Sequence, residues 1–343
     1  MTEIIKELSE IYKQSDEGIF IVDDSGYWSN LNRDENAALI ESLKIKSPRE
    51  AIKESPMPQL ETVIFSPKRP AGLELLKLKG TEVCIDFGCM WGALTIPLAK
   101  MSKFVMGVDQ TIDSLRFLMA RARSEKLENV ATMCNNLKKF PELKNKIDVA
   151  VVNGVLEWIP ESNLVELKNY FGKSEKREYS KNPGEEQKEF LRNVLNNLKK
   201  DGRLYLAIEN RYDFKMFFGA PDPHANILFA SILPRRMASI LSKFKLKRPY
   251  VNWLYSFRGI KELLLETGYA KVDLYCCFPD YRYPEKIFPY ENGISDFSGV
   301  ISPRNSKGKL TLKRAFVRAA ELIIFRYLKL KSLSPSIIAI AHK

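Results

Sequence analysis

The sequence predicts an α/β protein built on a parallel sheet with helices on both faces. Three observations carry this: short apolar runs recurring from about residue 81, helical spacing between them, and small or polar residues where each run ends. VCIDFG (83–88), KFVMGVD (103–109), VATMCNN (130–136), IDVAVVNG (147–154) and RLYLAIEN (203–210) are near-continuous apolar segments. That is the pattern of strands buried on both faces. WGALTIPLAKM places Leu94, Leu98 and Met101 on one helical face, with Pro97 early enough to be tolerated. A second helix is expected over Thr111–Lys126, and others around 161–171 and 185–200. Further on, a helix is expected near Phe257–Thr267, then strands AKVDLYCCF (270–278) and SIIAIAHK at the C-terminus. Residues 1–65 are mixed and polar, without alternation, and read as a helical, lid-like segment preceding a domain over 66–343.

Composition limits the function classes. The hydrophobic content of 45% and charged content of 28% are ordinary for a globular chain. Five cysteines show no disulfide framework, and with only His224 and His342 there is no zinc-ligand spacing, so no metal is expected. MTEIIKELSEIYKQ has no apolar signal core, and no stretch approaches the ~20 apolar residues of a membrane span. A cytoplasmic protein is expected.

The net charge of +12 is concentrated. Residues 231–250 hold six Lys/Arg and no acid; residues 303–331 hold nine and only Glu321. Within 307–331, Leu312, Phe316, Ala319, Ile323, Tyr327 and Leu330 fall on one helical face, flanked by basic residues. One reading packs that face on the domain. The other places 231–250 and 307–331 against an anionic membrane surface, bringing the protein to the inner face of the membrane. Nucleic acid is a third partner for such clusters, but no RNA-binding module accompanies them.

In parallel α/β sheets ligands bind beyond the carboxyl ends of the strands, where strand order reverses. The informative residues cluster there. Gly88 and Gly92 follow the first strand and permit a sharp turn with close backbone approach. Asp109 ends the second strand, 17 residues after Gly92, with Gln110 next to it. A carboxylate at that place can accept from both hydroxyls of a ribose. Asn135 and Asn136 follow the third strand, and Asn153 the fourth. Glu209, Asn210 and Arg211 follow the fifth.

The stretch Asp86, Gly88, Met90, Gly92 resembles the first motif of class I S-adenosylmethionine-dependent methyltransferases, an acidic residue followed by alternate glycines. The similarity covers roughly 66–280 plus the last strand. It implies a Rossmann-like, seven-stranded mixed sheet whose last strand is antiparallel. Insertions at about 211–255 and 280–333 would form an acceptor cap and a basic amphipathic helix. It also implies S-adenosylmethionine as cofactor, with Asp86 toward the methionine amino group, Asp109 and Gln110 at the ribose, Asn135 or Asn136 at the adenine, and Asn153 in VVNGVLEWIPE at the methionine end. FSPKRPAGLELL and LAIENRYDFKMFFGAPDPH look like a subgroup associated with bacterial surface-glycan gene clusters, so the implied acceptor is a sugar hydroxyl or another small-molecule oxygen or nitrogen.

Met90 departs from the motif. It fits without strain if its φ is negative; a positive φ would cost ~1–3 kcal/mol. Trp158 is either a packing residue or part of the acceptor pocket, as are Asn210 and Arg211. His224, in GAPDPH, is either a general base, with Glu209 as the other candidate catalytic group, or a solvent-exposed loop residue. Three other functions compete: a nicotinamide oxidoreductase, whose loop should read G-x-G-x-x-G rather than G-x-x-x-G; an RNA methyltransferase; and an inactive binding protein of the same fold.

Overall fold

The computed structural model describes residues 3–23, 31–161, 179–291 and 312–343. One sheet runs through all of them. Its strands are β1 (Ile19–Ile21), β2 (Val83–Phe87), β3 (Phe104–Asp109), β4 (Val130–Cys134), β5 (Ile147–Asn153), β6 (Leu198–Glu209), β7 (Lys271–Phe278), β8 (Lys286–Pro289) and β9 (Ser336–His342). They lie in the order β1-β4-β3-β2-β5-β6-β9-β7-β8. β1 to β6 are mutually parallel, while β9 pairs antiparallel with both β6 and β7.

The sheet thus has nine strands rather than the seven expected. The two additions are its edges. β1 comes from the polar N-terminal segment and pairs Ile19 with Thr132 over only three residues, too short to show a period. β8 returns antiparallel along β7. The N-terminal segment is therefore part of the sheet as well as a cover over it.

Local sequence explains where the helices begin and end. α1 (Glu3–Ile11) buries Ile4, Ile5 and Leu8. α2 (Arg33–Ser42) and α3 (Pro48–Lys53) each start in a capping box, Asn32 with Glu35 and Ser47 with Glu50. With α4 (Leu60–Phe65) they pack Leu39, Ile52 and Ile64 against Trp91 and Phe117. α5 (Thr95–Met101) starts later than its apolar spacing suggests, because Gly92 sits at φ 77° in the preceding turn. α6 (Ile112–Ser124) follows β3. α7 (Pro183–Asn197) places Phe190 edge-on to Phe87, with ring centroids 5.6 Å apart.

β6 starts five residues before the expected RLYLAIEN, because its pairing with β5 shifts register, Leu198 opposite Ile147 and then Arg203 opposite Val149. α8 is Arg235–Leu246 and α9 is Phe257–Thr267, the latter capped by Ser256 and closed by Gly268 in the left-handed region. The helix expected around 161–171 lies almost wholly outside the described residues, as does the part of the basic segment before 312.

α10 (Leu312–Leu322) continues into one wider turn over Ile323–Tyr327. It docks by a different face from the expected stripe. Phe325 is buried, its ring edge-on to Phe214 at 5.3 Å and Phe278 at 4.9 Å, whereas Phe316, Ala319, Ile323, Tyr327 and Leu330 are exposed. Replacing Phe325 by Ala should therefore cost ~3–5 kcal/mol of unfolding free energy. Phe316→Ala gives up only an edge-on contact with Phe218 at 5.7 Å and should cost at most ~1.5 kcal/mol, both read from urea unfolding midpoints.

Candidate active site

Strand order reverses between β2 and β5, and a cavity of about 540 Å³ opens at the carboxyl ends there. The size suits a small organic ligand, for which cavities of roughly 300–1,000 Å³ are usual. Asp109, Asp86, Asn153 and Glu209, from β3, β2, β5 and β6, line it in that order across the sheet. Three interstrand steps of ~4.8 Å put ~14 Å between the outer two strands, β3 and β6.

The loop after β2 forms one wall. Its glycines are needed for conformation and for packing. Gly88 has φ 70°, and a Cβ there would lie 2.4 Å from the Val155 side chain; at Gly92 (φ 77°) the clash would be 2.1 Å from Leu118. Met90 takes φ 44°, the strained alternative, and its side chain packs on the α2–α4 cluster. The strain is held from several directions. The Met90 amide donates to Asp109 Oδ2 at 2.9 Å, Trp91 Nε1 donates to Ser114 Oγ at 2.8 Å, and Arg121 donates to the Trp91 carbonyl at 2.8 Å.

Asp109 is thereby a loop anchor as well as a pocket residue. Its Oδ1 accepts from the Thr111 amide at 3.0 Å, yet each carboxylate oxygen keeps a second acceptor direction for a hydroxyl. Burial pushes its carboxyl up to about 6, against the hydrogen bonds from Met90 and Thr111. Asp86 accepts from Thr95 Oγ1 at 2.6 Å. Burial raises it to about 7, opposed by that bond and by Arg69.

Not every expected site residue meets at the cavity. Gln110 and Trp158 line it beside the three acids and Asn153, whose Nδ2 is buried without a partner. Asn135 and Asn136 do not line it. Asn135 Nδ2 donates to the Lys139 carbonyl at 3.2 Å, and Asn136 accepts from the Lys138 amide to cap a short turn. Asn135 Oδ1 alone remains buried and unpartnered. Asn210 is committed to the carbonyls of Ser332 and Ser334 at 2.7 and 2.8 Å, and Arg211 to those of Ser231, Ile232 and Leu233. These two hold the 211–255 insertion and the C-terminal segment to the end of β6. Neither reaches the pocket.

Three residues were missed in the sequence. Arg69, from FSPKRPAG, lines the cavity with Nε and one terminal nitrogen buried and without partners. Tyr281 donates to Glu209 Oε1 at 3.1 Å, over Gly154, where a Cβ would lie 2.3 Å from its hydroxyl. The N-G ending of β5 was the one available signal for such a close approach. Glu157 is fully buried with both oxygens unpartnered, in a motif that drew attention only to Asn153 and Trp158.

His224 is not an exposed loop residue. It is buried with its Nε2 3.7 Å from Glu157 Oε1 and 3.8 Å from Glu209 Oε2. Its Nδ1 is 3.8 Å from Asp222 Oδ1, and the Trp158 ring meets it edge-on at 4.9 Å. Burial works against charge on this imidazole, but Glu157, Glu209 and Asp222 outweigh it and raise the group to about 9. Glu209 itself is raised to about 7 by burial and by Glu157, with His224 opposing.

Residues 78–231 match a family model described as a methyltransferase domain. No curated protein sequence matches. Among solved structures, phosphoethanolamine N-methyltransferase 2 of Haemonchus contortus, in complex with S-adenosylmethionine, is 13% identical, with a TM-score of 0.45, over 87% of this chain and 60% of its own. This chain therefore spans less than two thirds of that enzyme. The YcgJ protein of Bacillus subtilis is 12% identical, with a TM-score of 0.41, over 80% of this chain and 97% of its own. The cyclase SpnF is 13% identical, with a TM-score of 0.46, over 93% and 98%.

The φ of 44° at position 90 carries a direct test. Met90→Gly releases ~1–2 kcal/mol of left-handed strain against ~0.5–1 kcal/mol of added unfolded-state freedom and the lost side-chain packing, so the net change should lie within ~1 kcal/mol. Met90→Val, branched at Cβ, should destabilise by at least ~1–2 kcal/mol in the same urea titration.

Proposed function

We propose that this enzyme, a methyltransferase whose cofactor is S-adenosylmethionine, transfers the methyl group to an oxygen or nitrogen of a small molecule, foremost a sugar hydroxyl of a surface glycan or natural product. The observation that carries the reading is Asp109 at the end of β3, lining the cavity while it fixes the loop after β2 through Met90. The residues present fit the cofactor. Asp109 and Gln110 would hold the ribose. Asp86 would face the methionine ammonium and Arg69 the methionine carboxylate. The buried unpartnered Nδ2 of Asn153 offers a donor at the same end. The buried, unpartnered Oδ1 of Asn135 does not line the cavity as it stands, so an adenine contact through it would need that turn to move.

The bound cofactor supplies an activated methyl on a sulfonium. The chain's own work is to bring the acceptor atom in line and exclude water. Trp158, Tyr281, Tyr283 and Arg282 line the far end beyond β5 and β6. Aromatic faces with polar tips suit a ring-shaped, hydroxyl-rich acceptor. Glu209 and His224 stand at the same end, where the acceptor proton must leave.

Membrane docking is supported by a separate observation. On α8, Met237, Ile240 and Phe244 are 54%, 69% and 77% exposed, beside Arg236, Lys243 and Lys245. Large apolar side chains ringed by lysine and arginine suit the headgroup region of an anionic bilayer. Among the described residues no helix is long and apolar enough to cross a membrane.

Calorimetric titration tests the cofactor. S-adenosylmethionine and S-adenosylhomocysteine should bind in the micromolar range, and Asp109→Ala should weaken both by ~10–100-fold, the worth of charge-assisted hydrogen bonds. Binding of neither, or of NADH alone, overturns the reading. Because Asp109 is raised to about 6 and accepts only while ionised on both oxygens, affinity should fall as pH drops through that value. The membrane reading is checked by sedimentation with phosphatidylserine vesicles. Wild type should pellet, with binding falling as salt rises, and Ile240→Glu with Phe244→Glu should remain in the supernatant.

A further inference from the structure

The geometry points to a divalent metal site at the acceptor end of the pocket, made by Glu157, Glu209 and His224. The inference rests on reading that end as the acceptor side. One ligand atom from each residue lies within 4.8 Å of the other two. At 3.7 and 3.8 Å from Nε2, the two carboxylates are too far to be hydrogen-bonded to the imidazole, yet all three groups converge. Metal–ligand bonds of ~2.1 Å put neighbouring ligands ~3.0–3.4 Å apart, so the side chains, now within 4.8 Å of one another, would draw inward around an ion.

The polar atoms themselves argue for an occupant. Both Glu157 oxygens, Glu209 Oε2 and His224 Nδ1 are buried and make no hydrogen bond. Two carboxylates shielded from water without donors are costly. A divalent cation with a neutral imidazole balances both charges, whereas an imidazolium balances one. Tyr281 fixes the other Glu209 oxygen by a hydrogen bond of 3.1 Å, while Asp222, 3.8 Å from His224 Nδ1, faces the second ring nitrogen without bonding to it.

A mixed nitrogen and carboxylate set suits Mn²⁺ or Zn²⁺ better than Mg²⁺ or a soft ion. Glu209 and His224 line the cavity and Glu157 does not, so a hydroxyl would approach an ion held here from the cavity side. The acceptor O–H would ionise there, its proton passing to solvent. The oxygen lone pair would then bond to the methyl carbon while the carbon–sulfur bond breaks and its electron pair stays on sulfur. In sequence the three ligands lie in three separate segments, which is why no ligand spacing was visible.

The test uses the full chain, stripped with EDTA and titrated with MnCl₂, ZnCl₂ and MgCl₂ by calorimetry and thermal denaturation. S-adenosylhomocysteine binding is measured in parallel. About one Mn²⁺ or Zn²⁺ per chain should bind and raise the melting temperature. Glu157→Gln and His224→Ala should weaken the ion on the order of 10–100-fold or more while still binding S-adenosylhomocysteine, which shows they are folded. Asp109→Ala should do the reverse, losing the nucleoside and keeping the ion. Failure of all three salts to bind or stabilise a wild-type protein that binds S-adenosylhomocysteine overturns the site and leaves a proton-sharing cluster. Ion binding unchanged in both cluster variants also overturns it. Ion binding that the variants abolish, without any nucleoside binding, would uphold the site and overturn the cofactor reading instead.

Discussion

Asp109 ties the backbone of two loops to one buried carboxylate, and most of the site hangs from that contact. Its oxygens receive the amides of Met90 and Thr111, which sets the path of the loop after β2 and the start of α6 together. The fold carries a cost for this. Burial lifts the group from 3.8 to about 6, so ionising it in the folded state weakens the fold by ~3 kcal/mol as pH rises through that interval. The two-loop tie itself calls for a carboxylate, since an asparagine has one acceptor oxygen and would turn its amide nitrogen toward one of the two N–H donors.

Much of this was legible because it is written in period and position. The seven long strands appear as apolar runs, and the residues at their ends fall in the cavity because strand order reverses at β2 and β5. Asp109 and Asn153 could be chosen on that ground, whereas Asp86 stands out only through its likeness to the family's first motif. The two edge strands could not, being too short to show alternation. Asn210 and Arg211 shared the same strand-end position as Glu209, yet only Glu209 turns inward. The others meet carbonyls that are 20 or more residues away in sequence, a partnership that position along a strand does not reveal. Arg69, Glu157 and Tyr281 were missed for a similar reason, because each becomes a pocket residue only through tertiary placement.

The same distinction applies to α10. The helical stripe through Phe316, Ile323 and Tyr327 was visible, but periodicity says only that a face is apolar, not what covers it. Here Phe325 supplies the docking contact from another side of the helix, leaving the visible stripe outward. A helix with two apolar faces separated by basic residues has more apolar surface than the domain needs. Together with the exposed row on α8, that surplus is the observation on which the proposed bilayer contact rests.

The charges around the cavity bear on the direction of the chemistry. Asp86, Asp109, Glu157 and Glu209 bring four carboxyl groups, against Arg69, Arg282 and His224. Of these acids, Asp86 and Glu209 are both raised to about 7, chiefly by burial, so each gains when positive charge enters. A sulfonium brings one such charge and loses it when the methyl leaves. The acids therefore hold the reactant more tightly than the product. That preference favours release after transfer, but by itself it would slow the transfer, since the transition state has already lost part of the charge. In-line placement of the acceptor must more than offset it. The carboxylates at the acceptor end can contribute to that placement only if their own charge is balanced there, and the convergence of Glu157 and Glu209 on His224 is where the protein can do so.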